Sequence, residues 1–159
     1  MSILKITVPY PCFGATGLPL LSSVLFFGHD ELLLLTRGRT FEVAGFRVSF
    51  AQELRQVSGL IREHSVNLIV LCHTLSRTEC ETASSIAENK RIPLLRLLFT
   101  EDECVAGQNS DAKAFADSTF DSKRGPVALL EEACSMLRAE RRWTVTEALL
   151  AFAAKGGFA

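Results

Sequence analysis

Short apolar runs alternate with amphipathic stretches along most of this chain. Ser23–Phe27 is an apolar run of strand length. It leads through Gly28-His29-Asp30 into a leucine-rich stretch that predicts a helix over about Glu31–Ala44. Asp30 is the expected N-cap, because its side chain can accept from the free N–H groups of the first turn. Gly45 is the expected stop. Gly38, inside this helix, should weaken it by about 1 kcal/mol relative to alanine. Phe46–Phe50 alternates Phe-Arg-Val-Ser-Phe, the pattern of an edge strand with one covered face. Leu54, Val57, Leu60 and Ile61 then give one apolar face to a helix over Gln52–His64. Val66–Leu71 is a continuous apolar run, as a central parallel strand covered on both faces requires.

The alternation continues. A helix over about Glu79–Glu88 presents Ala83, Ile86 and Ala87. Ile92–Phe99 reads as a strand, with Pro93 near its start, where the missing N–H does least harm. Thr100–Ala114 is polar and weakly patterned, and predicts a broken helix. Ser118–Phe120 is a short fifth strand. Pro126 opens a helix reaching about Ala139, proline being suited to the first helical turn. Strands alternating with helices imply a parallel sheet, helices on both faces and right-handed crossovers. The expected fold is α/β: a flavodoxin-like three-layer sandwich with strand order 2-1-3-4-5.

Composition narrows the function. The chain has 159 residues, of which 48% are hydrophobic, enough for one domain with a core of its own. Seventeen basic and eighteen acidic side chains leave a net charge of −1, which gives no reason to expect nucleic-acid binding. The five cysteines, at positions 12, 72, 80, 104 and 134, form no CxxC pair, so a reduced, cytoplasmic protein is expected. Residues 1–21 are interrupted by Pro9, Pro11 and Pro19 and carry no convincing secretory pattern. They are expected to be a loosely packed leader, and no membrane span is expected.

Ligands of such folds bind where the strands end. The strand ends here carry Gly28, His29 and Cys72. Cys72 with neighbouring histidines could be a nucleophile or redox sensor, since histidine can lower a thiol pKa. The plainer reading is a small buried apolar residue. A metal site from Cys72, His29 and His73 is disfavoured because adjacent strand residues point to opposite faces. Arg96 lies inside an otherwise apolar strand, on the face of Leu98. It either reaches the crevice for a partner or keeps its guanidinium in solvent.

The order and spacing of VLFFGHDELLLL, EVAGFRVSFA, NLIVLCHTL and RIPLLRLLF resemble the receiver domain of bacterial response regulators, from about Ser22 to Leu137. The resemblance implies a phosphoacceptor position at Cys72 and an acidic-pair position at Gly28 and His29. It implies switch positions at Leu98 and at Ser122, with Lys123 one residue later. Cys72, Gly28, His29, Leu98 and Ser122 do not carry the family's usual residues, while Lys123 is the lysine type that the resemblance implies after the fifth strand. Asp30 and Glu31 are the nearest carboxylates that could rebuild a metal site. Without an aspartate at 72, phosphorylation at the usual position is not expected, nor is a metal, a cofactor or an enzymatic activity.

The resemblance thus implies a degenerate, stand-alone receiver-like domain over 22–139, acting by protein–protein interaction in bacterial signalling. Its expected partner is another signalling protein or a second copy, rather than a nucleic acid or a membrane. The alternative is a thiol-based redox sensor or enzyme centred on Cys72. Beyond the core, Arg138, Arg141 and Arg142 precede Trp143. Thr144 and Glu147 have capping-box spacing, and Val145, Leu149 and Phe152 form a stripe, so 140–159 is expected to be an amphipathic helix and tail. Too little chain follows residue 139 for an output module to be expected.

Overall fold

A computed structural model describes residues 22–99 and 116–139. Ser23–Phe27 is β1, and each of its residues is buried. A strand with no polar face needs cover on both sides, and β1 accordingly lies inside the sheet. The other strands are β2 (Arg47–Ala51), β3 (Leu68–Leu71), β4 (Leu94–Leu98) and β5 (Ser118–Asp121). All five pair in parallel, in the order β2-β1-β3-β4-β5. Helices α1 (Glu31–Val43), α2 (Leu54–Glu63) and α3 (Arg77–Lys90) and a helix over 126–139, α4, cover its faces. This is the flavodoxin-like sandwich expected from the alternation.

Successive strand residues serve opposite layers. Val24, Phe26, Val70 and Leu97 meet Leu34 and Phe41 of α1 and Leu130 and Ala133 of α4. Leu25, Phe27, Ile69 and Leu71 meet Val57 of α2 and Cys80, Ala83 and Ala87 of α3. Phe26 and Phe41 pack edge-on with ring centroids 5.1 Å apart. Such a pair contributes about 0.5–1.5 kcal/mol beyond the area it buries.

Several boundaries differ from expectation for visible reasons. Helix α3 starts at Arg77, two residues before the expected start, because Ser76 and Glu79 form a capping box. Its inner face is Cys80, Ala83 and Ala87, while Ile86 is only half-buried. Strand β2 is an edge strand, but not a one-sided one: Phe46, Val48 and Phe50 lean on the α1 layer, and Ala51 is buried on the other. Gly38 is not an avoidable weak point. A Cβ there would lie 2.4 Å from Phe50 Cζ, so the missing side chain makes room for that ring. Arg96 is half-buried, flanked in register by Leu71 and Thr119.

Cys72 and Cys80 are free and buried. Cys134 is disulfide-bonded, so the expectation of a fully reduced chain fails at that residue. No helix among the described residues is long and apolar enough to cross a membrane. The expected leader (1–21), broken helix (100–114) and carboxyl-terminal helix (140–159) lie outside the described residues.

Candidate functional site

The carboxyl ends of β1 and β3 are drawn together by the sheet itself. The ladder continues past both strands, with Cys72 N–H donating to Phe27 O at 2.8 Å and Gly28 N–H to Ala51 O at 3.1 Å. These bonds fix Cys72 and Gly28 side by side. A Cβ on Gly28 would lie 2.7 Å from Cys72 Cβ, 3.1 Å from Thr74 Oγ1 and 3.2 Å from Cys72 Sγ. Real Cβ atoms essentially never approach another atom as closely as the first of these distances. Glycine is therefore required at 28 by close approach of β3, and not by an unusual backbone angle.

The loops above are tied across the same gap. His29 N–H donates to Thr74 Oγ1 at 2.9 Å. His29 Nε2 lies 2.9 Å and 3.0 Å from the two carboxylate oxygens of Glu79. Glu79 in turn accepts from Ser76 N–H at 2.8 Å and from Ser76 Oγ at 2.9 Å. Desolvation raises the Glu79 carboxyl. The hydrogen bonds from Ser76 and His29 outweigh it and hold the group below the ordinary glutamate range. Asp30 accepts from Leu33 N–H at 3.1 Å, as an N-cap should, and so is committed to α1.

Arg37 belongs to α1. It falls on the inner face of α1, between buried Leu34 and Phe41. Helical side chains lean toward their own N-terminus, which here is the strand-end side of the sheet. The positive charge of Arg37 favours the thiolate of Cys72. The Arg37 Nη1 is buried with no hydrogen-bond partner among the described residues. Cys72 itself is only 3% exposed. Burial pushes its thiol up by more than Arg37 lowers it, and Asp30 adds to the rise. A thiol so placed stays protonated near neutral pH, which gives no support to a reactive or redox-sensing Cys72.

The remaining expected residues lie elsewhere along the same edge. Leu98 is buried at the end of β4, paired in register with Asp121. Ser122 opens a 3-10 turn after β5, its Oγ buried and unpartnered among the described residues. Lys123 N–H is held by Asp121 Oδ1 at 2.9 Å. His73 stacks on Phe99, with centroids 4.8 Å apart. Cys72, His29 and His73 therefore do not converge, since His29 is turned to Glu79 and His73 to Phe99.

No protein-family model and no curated protein matches the sequence. Solved structures do match. A response regulator receiver domain protein (CheY-like) from Methanospirillum hungatei is 19% identical, over 77% of this chain and 98% of that one, with a TM-score of 0.60. A response regulator receiver modulated diguanylate cyclase from Pelobacter carbinolicus is 17% identical, over 78% and 98%, with a TM-score of 0.64. A response regulator from Thermotoga maritima is 16% identical, over 75% and 99%, with a TM-score of 0.63.

The chain has the receiver-domain fold.

Within that fold, two features of the site were not anticipated from sequence. The His29–Glu79 clasp joins residues fifty positions apart. The Ser76-x-x-Glu79 spacing was visible, but its reach to His29 was not. Arg37 left a clearer trace: it interrupts the Leu34–Phe41 stripe at helical spacing, and an arginine on an inner face needs a reason to be there.

Proposed function

We propose that this chain is a degenerate receiver-type domain that acts by protein–protein interaction in signalling or regulation, without phosphorylation at the usual position and without enzymatic activity of its own. In this reading Cys72 stands at the phosphoacceptor position, Gly28 and His29 at the acidic pair, and Leu98 and Ser122 at the switch positions. The observation that carries it is the contact between Gly28 and Cys72. A Cβ at 28 has no space, so the crevice lacks both a carboxylate and the room for one. Phosphoryl transfer works by positioning and by cations that neutralise charge. A glycine and a protonated thiol supply neither. What the fold then offers a partner is its surface, where Leu32 is 74% and Leu35 49% exposed on α1.

The partner is another signalling protein or a second copy of the chain. Affinity capture with this chain as bait, followed by reconstitution of each candidate from purified proteins, tests the reading. The expected partner binds equally in Mg²⁺ or EDTA, with or without a small phosphodonor. A partner that requires the phosphodonor, or the absence of any that survives reconstitution, overturns it.

A further inference from the structure

Of the five cysteines, Cys72 and Cys80 are free and buried, and Cys134 is disulfide-bonded. The partner of Cys134 is therefore Cys12 or Cys104, both outside the described residues. These two candidates arrive from different sides of the sheet. The segment holding Cys104 joins β4 to β5. That step across the sheet has the same direction as the step from β3 to β4, whose crossover helix is α3. Right-handed crossovers put both connections on one face. Ala116, just before β5, accordingly packs with the α2–α3 layer. Cys134 packs in the other layer, with Leu34 and Phe41 of α1.

The helical position of Cys134 separates it further from Cys104. Glu132, Ser135, Met136 and Ala139 line a cavity with Leu94 and Ser118, at the β5 edge of the sheet. At about 100° per residue, Cys134 points about 150° away from the centre of that row, and so toward α1. The same cavity places the carboxyl end of α4 beside the amino ends of β4 and β5. In a parallel sheet β1 begins at that end too, directly after Ser22. Ten residues lead from Cys12 to Ser22. Extended, they span about 33 Å, more than the length of α4, about 21 Å. We infer that Cys12 is the disulfide partner of Cys134, and that this bond fastens the amino-terminal segment against the α1-facing side of α4. Forming it takes two protons and two electrons from the two thiols, and an external disulfide accepts them by exchange, leaving as two thiols. Reduction reverses the exchange and frees the segment, so that side of α4 is covered in one redox state and open in the other. Cys72 and Cys80, 3% and 1% exposed, are too buried to scramble the bond. The inference does not depend on how the strand-end crevice is read.

Two measurements on the full chain test it. The first equilibrates the unaltered protein with oxidised glutathione, alkylates its free thiols in denaturant without reductant, and reads a tryptic digest by mass. Cleavage after lysine and arginine leaves each of the five cysteines on its own peptide. The expected digest contains one linked pair joining the Cys12 and Cys134 peptides, with Cys72, Cys80 and Cys104 alkylated. A Cys104–Cys134 pair, a bond between two copies through Cys134, or an alkylated Cys134 overturns the inference. The second compares amide spectra of the isotope-labelled protein before and after reduction by a dithiol. The signals of α1 and α4 should shift while those of α3 stay in place. Shifts concentrated on α3, or none on α1, overturn the placement of the segment.

Discussion

Adding one methyl group at Gly28 should damage this protein, while adding one at Gly59 should help it. The Gly28 backbone is ordinary, since the positive-φ glycines among the described residues are Gly45 and Gly125. Alanine at 28 is therefore compatible with the chain's path, and restricting the unfolded state alone would stabilise by about 0.4–1 kcal/mol. Space decides otherwise. The new Cβ would sit 2.7 Å from Cys72 Cβ, an atom rigidly attached to the backbone. Relief requires β1 and β3 to part at their ends, against the hydrogen bond from Cys72 N–H to Phe27 O. Overpacking of this kind costs about 1–3 kcal/mol. The net loss is about 1–2 kcal/mol, a factor of about 5–30 in the folding constant. At Gly59, in α2, a Cβ meets nothing within 4 Å, and alanine should stabilise by about 0.5–1 kcal/mol. Urea unfolding with an unchanged m-value measures both. A Gly28→Ala protein as stable as its parent, beside a stabilised Gly59→Ala control, refutes the close approach on which the site's reading depends.

Phe41→Ala should cost about 3–5 kcal/mol, because that ring is fully buried against Phe26 and Phe46; thermal or urea unfolding reads it. Glu79→Gln should cost about 1 kcal/mol by weakening the α3 cap. Because the folded Glu79 carboxyl is held below its ordinary range, its contribution is present above the unfolded value and fades as pH falls through the folded one. The parent should therefore lose stability on acidification more steeply than Glu79→Gln, and parallel pH profiles contradict the clasp. Cys72 in the folded protein should react with a thiol reagent near neutral pH only as fast as the protein opens, since burial keeps the thiol protonated. Rapid labelling of Cys72 in native protein would reinstate a reactive centre.

The fold was legible because its elements announce themselves by period. Unbroken apolar runs at Ser23–Phe27 and Leu68–Leu71 require cover on both faces, and the stops at Asp30 and Gly45 bracket α1. These are local signals, and they agree with the global arrangement. The site was legible only in what it lacks. Reading Gly28 and Cys72 at the strand ends identified two missing carboxylates. It did not reveal that the two positions touch, because contact depends on how the β1–β3 register continues beyond the strands. The His29–Glu79 pair was hidden for the same reason, since its partners come from separate loops. Gly38 shows the opposite error. Helix propensity alone made it a defect, whereas the Phe50 ring from a neighbouring strand occupies the space that any side chain would need.

The central proposal is that this receiver-fold crevice has lost phosphoryl chemistry and keeps the fold for its surface. The most direct measurement is to incubate the protein with Mg²⁺ and a small acyl phosphate, then record its intact mass and its amide spectrum. No mass gain, and no shifts at Gly28, His29, Cys72 or Thr74, is the predicted result. A phosphoryl adduct with shifts centred on those strand ends would contradict it.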